Sequence, residues 1–271
     1  MNRSYNNHLS NNNPMLTIAI DAARTAGKFL KQNLGKAKDI QRKGGQEKNL
    51  VTEIDKGSEK LIIDIIKTHF PGHDILAEES GGKMGKQSDY RWIIDPLDGT
   101  TNFTHGFPVF CVSIGLEYKG ELQLGVIYDP NFDELFTAEK GNGAYLNGKR
   151  ISVSSIDSLA ASLLVTGFPY NILENPNHAV EHFVKFLMKA QALRRMGSAA
   201  IDLAYVAAGR YEGFWEVALH PWDVAAGALL VTEAGGTITD FQGGPFSIYK
   251  PEVLASNGAV HKEMMEALVA V

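Results

Sequence analysis

An apolar run ends abruptly in two carboxylates within the segment Trp92-Ile93-Ile94-Asp95-Pro96-Leu97-Asp98-Gly99-Thr100-Thr101-Asn102-Phe103. The apolar part predicts a buried strand, which we expect Pro96 and Gly99 to break. Asp95 and Asp98 then lie at a strand end, beside a turn with free backbone N–H groups. Such an arrangement can hold hard cations and also receive an anion. The segment therefore predicts metal-assisted chemistry on a phosphate.

Composition and charge exclude several classes of protein. The 271 residues are 44% hydrophobic and 21% charged, as in an ordinary globular enzyme. They can bury a substantial core, as one large domain or two closely joined halves. Because the formal net charge is −5, general attraction to nucleic acid or to anionic membranes is not expected. The sequence has no run of about 18 uninterrupted apolar residues, so no membrane span is predicted.

Cysteine usage indicates the compartment. Cys111 is the single cysteine, so the chain can form no internal disulfide, and a reducing cytoplasm is the expected location. Because the neighbouring residues in the sequence are apolar, Cys111 is predicted to be a small, buried core residue.

The predicted elements divide the chain into a tail and two halves. Residues 1–14 are polar and predicted to be a disordered tail. Residues 15–160 are predicted to form an N-terminal α+β half, with a helix from Asn13-Pro14 to near Gly35 and a second from Asp55 to Phe70. Residues 161–271 are predicted to form a C-terminal α/β half. The strands are predicted at 75–77, 109–118, 122–128, 135–138, 143–146, 163–166, 192–196, 213–217 and 237–239, and the later helices at 177–190, 198–208, 222–234 and 261–270. This mixed order favours layered sheets and helices over a simple barrel.

Acidic residues recur at the ends of predicted elements: Asp55, Glu78 with Glu79, Asp95 with Asp98, and Asp223. If these side chains converge, they form an oxygen-rich site suited to Mg²⁺. Two carboxylates about 4 Å apart repel by roughly 4 kcal/mol at an effective dielectric near 20. Bound cations would explain such a gathering. Taken singly, each acid also has an ordinary interpretation, such as a turn at Asp95–Gly99 or a helix N-cap at Asp55.

Four motifs together resemble the inositol monophosphatase family, whose members are Mg²⁺-dependent, lithium-sensitive sugar-phosphate phosphatases. The first is the segment 92–103, and the second is Trp222-Asp223-Val224-Ala225-Ala226-Gly227, running on to Glu233-Ala234-Gly235-Gly236. Glu78-Glu79-Ser80 and Leu50-Val51-Thr52-Glu53-Ile54-Asp55 match in order and approximate spacing. The similarity runs from about Leu16 to near the C-terminus. It implies a layered α-β-α-β-α sandwich and a homodimer.

The resemblance also implies a set of metal ligands. Glu78, Asp95 and the main-chain carbonyl of Leu97 would hold one Mg²⁺. Asp95, Asp98 and Asp223 would hold a second, and Glu78 could hold a third, weaker ion through water. Two or three Mg²⁺ ions are therefore expected.

The remaining site residues follow from the same resemblance. The implied catalytic residues are Glu78 and the pair Asp55 and Thr100, which would orient the attacking water. The implied substrate-binding residues are Asp98, Gly99, Thr100, Thr101, Gly197, Ser198, Ala199, Glu216 and Asp223. Among these, the N–H groups of Gly99 and Thr100 would hold the phosphate at a helix start, and Glu216 would bind sugar hydroxyls. His220 is interpreted as structural, fixing the turn before Asp223.

The implied activity is hydrolysis of a small polyol or sugar phosphate, with myo-inositol 1-phosphate as the first choice. Fructose-1,6-bisphosphatase activity is the alternative within the class. Histidinol phosphatase and nucleotide 3′-phosphatase activities are less favoured, since relatives of those types usually have lysine where this chain has Thr101. An alternative of another class is a regulatory protein on a phosphatase scaffold, contacting RNA or a protein through Arg194, Arg195 and the basic loop 36–48. Fold resemblance alone does not prove activity.

Overall fold

A computed structural model of the protein describes residues 13–36, 40–42, 50–81 and 88–269. Residues 1–12 of the predicted tail and most of the basic loop 36–48 lie outside these ranges, whereas Asn13 and Pro14, also assigned to the tail, form the start of α1. The helices are α1 (Pro14–Asn33), α2 (Glu53–His69), α3 (Thr100–Thr104), α4 (Ala179–Lys189), α5 (Ala199–Ala207), α6 (Pro221–Glu233) and α7 (His261–Val269). The strands are β1 (Ile40–Arg42), β2 (Leu50–Thr52), β3 (Asp74–Ala77), β4 (Tyr90–Asp98), β5 (Cys111–Tyr118), β6 (Glu121–Asp129), β7 (Glu134–Glu139), β8 (Gly143–Leu146), β9 (Lys149–Arg150), β10 (Leu163–Thr166), β11 (Ala192–Arg194), β12 (Gly213–Val217), β13 (Thr237–Thr239) and β14 (Glu252–Ser256). No helix within the described ranges is long and apolar enough to cross a membrane.

These elements stack in five layers, which confirms the predicted α-β-α-β-α sandwich. Helices α1 and α2 cover the outer face of a seven-stranded sheet, and α5 and α6 pack between that sheet and a second, five-stranded one. Helices α4 and α7 cover the far face of the second sheet. Apolar cores fill the spaces between the layers, with the central one built around α5 and α6.

The seven-stranded sheet has the order β3-β4-β5-β6-β7-β8-β9. Only β3 and β4 pair in parallel, and the predicted hairpin of β5 and β6 is confirmed. The prediction that Pro96 breaks the strand is wrong, since β4 continues to Asp98. The pairing with β5 shifts register between Asp95 and Asp98. This irregularity accommodates a proline, which has no N–H to donate to a sheet.

The second sheet has the order β11-β10-β12-β14-β13. Strand β14 was not predicted, although it lies between β12 and β13 and pairs antiparallel with both. Its sequence, Glu-Val-Leu-Ala-Ser, is a short run with few strong strand formers. Strand β11 ends at Arg194, two positions before the predicted end.

Two helix starts differ from prediction. Helix α2 begins at Glu53 because Thr52 caps it in a capping box with Asp55, so the interpretation of Asp55 as the N-cap is wrong. Helix α4 begins at Ala179 and not at Asn177. Asn177 and His178 have φ of 48° and 54°, a left-handed conformation that cannot continue a right-handed helix.

Helix α6 lies against the seven-stranded sheet with no side chain between the two backbones at Gly125. A Cβ atom at Gly125 would lie 2.7 Å from the carbonyl oxygen of Ala226 and 2.9 Å from its Cα. At Gly115, a Cβ atom would lie 2.9 Å from the Cβ of Ala225. These close approaches fix the distance between the sheet and the helix that begins with Pro221-Trp222-Asp223.

We predict that Gly125→Ala destabilises the protein by about 1–3 kcal/mol, because the added methyl group must push helix α6 off the sheet. Urea unfolding would measure the change. Gly72→Ala is the matched control, since nothing lies within 4 Å of a Cβ atom there, and its effect should stay within about 0.5 kcal/mol. Equal effects of the two substitutions would contradict the packing argument.

Candidate active site

A cavity of about 390 Å³ opens where β4 and β12 end and where α3, α5 and α6 begin. Nearly all of the site residues implied by the sequence line it: Glu78, Asp95, Leu97, Asp98, Gly99, Thr100, Thr101, Gly197, Ser198, Ala199, Glu216 and Asp223. Asp55 lies behind Thr100. The fold thus brings together acids that are far apart in the sequence.

Asp98 connects the end of β4 to the start of α5. Its Oδ2 atom accepts hydrogen bonds of 2.7 Å from the Ser198 hydroxyl and from the Ala200 N–H. Cys111, which is fully buried as predicted, lies next to this junction with its Sγ 3.7 Å from Ser198 Oγ. Burial raises the pKa of Asp98 to about 6, although the hydrogen bonds from α5 oppose the shift.

Asp95 and Asp223 face the same cavity. Asp95 is 2% exposed, and its Oδ1 accepts a hydrogen bond of 3.0 Å from the Leu97 N–H. Asp223 accepts one of 2.7 Å from the His220 N–H, so His220 fixes this turn through its main chain. Burial, and then the charge of Glu78, raise the pKa of Asp95 and Asp223 well above the ordinary value.

These carboxylates fit hard divalent cations. Their oxygen atoms are the preferred ligands of Mg²⁺, and a cation between them would relieve the repulsion that raises their pKa values. Among the described residues, no three acidic, histidine or cysteine side chains lie close enough together to grip an ion as they stand. Glu78, Asp95, Asp98 and Asp223, with the Leu97 carbonyl, are the cavity residues that would hold such an ion.

Asp55 and Thr100 form a buried hydrogen-bonded pair at the edge of this cavity. The Thr100 hydroxyl lies 2.9 Å from Asp55 Oδ1 and 3.1 Å from the Leu97 carbonyl oxygen. The other carboxylate oxygen of Asp55 accepts from the N–H and hydroxyl of Thr52, at 2.9 and 2.5 Å. Burial raises the pKa of Asp55 while these hydrogen bonds oppose the shift. The carboxyl group is thus held rigidly, with Thr100 between it and the cavity.

The turn at Gly99 exposes backbone N–H groups to the same cavity. Gly99 has φ of 100°, and a Cβ atom there would lie 2.9 Å from the Val109 carbonyl oxygen. Only glycine fits this left-handed, crowded position. Helix α3 begins at Thr100, and the first N–H groups of a helix have no partner within it. Such groups can bind a phosphate.

Glu216, on β12, also lines the cavity. It is 9% exposed, and a Cβ atom at Gly167 would lie only 2.2 Å from its carboxylate oxygens. Its carboxyl group therefore lies directly over the glycine backbone. Burial raises the pKa of Glu216 to about 8, against the lowering effect of Arg195.

Sequence reasoning missed several residues at the cavity. The segment 167–171 forms one wall, and Asp202 lies on the buried side of α5. A detectable signal for Asp202 existed, since it is a single acid within the otherwise apolar run Ala199–Ala207. Asn102 was also missed. Its amide donates 2.8 Å hydrogen bonds to the carbonyls of Val109 and Met196.

The structure also gives the positions of four further residues that the sequence analysis named. Arg195 lines the cavity, whereas Arg194 is exposed and its guanidinium donates to the Leu193 carbonyl. Glu79 is half-buried, and its N–H donates to the Glu59 carboxylate over 2.7 Å. Lys36 is exposed after the end of α1.

Comparison with known proteins gives the same class. The model of the inositol monophosphatase family matches residues 11–271. Nus factor SuhB of Salmonella typhimurium is 45% identical over 252 residues, covering 93% of this chain and 94% of the relative.

Solved structures agree. The inositol monophosphatase of Anabaena (Nostoc) sp. PCC 7120 has a TM-score of 0.84 at 44% identity, covering 95% of this chain and 96% of the other. The extragenic suppressor protein suhB of Bartonella henselae has a TM-score of 0.90 at 40% identity, covering 95% and 99%. A phosphatase scaffold is therefore established, and the chain belongs to the inositol monophosphatase family.

We predict that Glu216→Gln stabilises the metal-free protein increasingly as pH rises. The folded-state pKa of about 8 exceeds the ordinary 4.5, so the stability that the protonated acid contributes is complete below pH 4.5 and is lost as pH rises through 8. Glutamine never ionises. The difference in Tm between variant and unmodified protein, measured with a chelator present, should grow between pH 5 and pH 8. A difference independent of pH would contradict the burial argument.

Proposed function

We propose that the protein is a Mg²⁺-dependent phosphomonoesterase acting on a small polyol or sugar phosphate. The observation that carries the proposal is the single cavity in which four carboxylates face a helix start and the Asp55–Thr100 pair. Carboxylates suit the metal, backbone N–H groups suit the phosphate, and the buried pair suits proton transfer. Each kind of group therefore meets one requirement of phosphate ester hydrolysis.

The protein's own residues would divide the work by position. Glu78, Asp95, Leu97, Asp98 and Asp223 would hold Mg²⁺, which supplies Lewis acidity and lowers the pKa of coordinated water. The N–H groups of the Gly99 turn would fix the phosphate. The Thr100 hydroxyl donates to Asp55, so the lone pairs of its oxygen could accept a hydrogen bond from the attacking water. Asp55 would take up the proton that the water loses. Direct attack by water requires no phosphoenzyme.

The substrate proposed first is myo-inositol 1-phosphate. Support comes from Glu216 in the same cavity, whose carboxyl group offers hydrogen-bonding oxygens to the hydroxyl groups of the substrate. Fructose 1,6-bisphosphate is the alternative substrate. Phosphate release from these two, histidinol phosphate and a nucleotide 3′-phosphate would rank them.

We further propose that lithium inhibits the protein and that the protein is located in a reducing compartment. Li⁺ is also a hard cation, so we propose that it competes for the carboxylate site. The single, buried Cys111 supports a reducing compartment, and we propose the cytoplasm.

A partner-binding role is the second candidate function, since the Salmonella relative is named a Nus factor. The exposed guanidinium of Arg194, beside Arg195 at the cavity mouth, offers positive charge to an acidic partner such as RNA. Such binding would be independent of Mg²⁺ and would involve no turnover. The net charge of −5 opposes non-specific binding to nucleic acid.

We predict that Asp95→Asn lowers Mg²⁺-dependent phosphate release by more than about 100-fold, because it removes a proposed ligand while keeping the side-chain volume. Its metal-free form should unfold at the same or a higher temperature, since one buried charge is gone. Asp64→Asn is the control: it removes an exposed acid on α2 and should leave turnover unchanged. Near-normal activity of Asp95→Asn would count against the metal assignment.

We also propose a homodimer that uses the outer face of α4. Val180, Val184, Leu187 and Met188 are 43–81% exposed and lie at the i, i+4, i+7 and i+8 positions of one apolar stripe. An apolar surface of this kind is typical of interaction sites.

Leu187→Lys should shift the protein toward monomer in size-exclusion chromatography with light scattering. Phe132→Lys, at an exposed apolar residue in the turn between β6 and β7, should leave the mass unchanged. A monomeric unmodified protein, or an unaffected Leu187→Lys dimer, would contradict the proposal.

A further inference from the structure

Asp202 is a buried acid whose role the proposed reaction does not explain. It lies in the first turns of α5, is 1% exposed, and lines the inner wall of the cavity. Its Oδ1 atom is shielded from solvent and has no hydrogen-bond partner within the described residues. Buried polar atoms in folded proteins are almost always satisfied. Oδ1 is therefore available to a neighbouring side chain that turns toward it.

The groups that face Asp202 define its charge state. Glu216 on β12, Asp98 at the end of β4 and Arg195 after β11 act on it electrostatically, and Asp202 in turn acts on Tyr211. Burial raises the pKa of Asp202 well above its ordinary value, and the negative charges of Glu216 and Asp98 raise it further. Burial and these charges therefore favour the neutral, protonated form of the Asp202 carboxyl group.

A neutral carboxylic acid differs in function from a carboxylate, because it can donate a hydrogen bond. Glu216 has its backbone fixed in β12, and its carboxyl group lies over Gly167. This contact restricts the side chain from one side only. A donor on the α5 side would complete the restraint.

We propose that Asp202 is a positioning residue that donates a hydrogen bond from its neutral carboxyl group to Glu216 and so orients Glu216 toward the hydroxyls of a polyol phosphate. The inference deepens the proposed function and rests on it. Asp202 would then determine substrate selection through the substrate hydroxyls and leave the chemistry at the phosphate unaffected. It would act through Glu216, without touching the phosphate or the attacking water.

The experiment compares two substrates that share the phosphate group and differ in hydroxyls: myo-inositol 1-phosphate and 4-nitrophenyl phosphate. Asp202→Leu removes the donor while keeping the branched shape at Cγ, and Asp202→Asn keeps a donor at the same volume. We expect Asp202→Leu to raise KM for inositol 1-phosphate about tenfold, with kcat and the turnover of 4-nitrophenyl phosphate within threefold of the unmodified protein. Asp202→Asn should restore the KM to within threefold.

Controls separate this role from a general effect on folding. Each variant is assayed on both substrates in the same preparation, so a loss of folded protein lowers both rates equally and leaves their ratio unchanged. Asp129→Asn, which alters another buried acid outside the cavity lining, should not change the ratio. In the Glu216→Gln background, Asp202→Leu should have little further effect on the KM for inositol 1-phosphate.

The outcomes are distinct. An unchanged substrate ratio in Asp202→Leu, or an Asp202→Asn variant as impaired as Asp202→Leu, would overturn the role of Asp202 while leaving the phosphatase proposal intact. Absence of Mg²⁺-dependent turnover of either substrate by the unmodified protein would overturn both proposals.

Discussion

The carboxylate of Asp98 joins the two sheets at the cavity, and the geometry of the site depends on that junction. It leaves the end of β4 and accepts hydrogen bonds from Ser198 and Ala200 at the start of α5. Asn102 makes a parallel connection from α3 to the Met196 carbonyl. Strand β4 and helices α3 and α5 are thereby held in fixed positions around the cavity.

Gathering so many acids opposes folding. Burial and mutual repulsion raise the pKa values of Asp95, Asp98 and Asp223, so the ionised forms destabilise the metal-free protein. The apolar cores between the layers offset this unfavourable free energy. Sites that trade stability for function in this way are typical of enzymes. A cation that binds only the folded protein adds stability that grows with the logarithm of its concentration above the Kd.

Periodicity and motifs in the sequence predicted most of the architecture, because amphipathic helices such as α1 and hairpins such as β5–β6 depend on local patterns. The acids of the cavity were predicted from their motifs, although their assigned roles stay predictions. Strand β14 was missed because its pairing partners, rather than its own residues, determine its structure. Asp202 was missed for a similar reason, since only the packing of α5 shows that its carboxyl group is buried beside Glu216.

The contact between α6 and the sheet has a consequence for how this protein can evolve. At Gly125 the backbone of β6 meets that of Ala226 with no intervening side chain, and Asp223 lies one turn earlier on the same helix. The height of the Asp223 carboxylate above the sheet is thus set by the direct contact of two polypeptide backbones. Elsewhere in the core, neighbouring side chains can repack around a substitution. At this contact the neighbour is backbone, so a larger residue requires a compensating change on the other element.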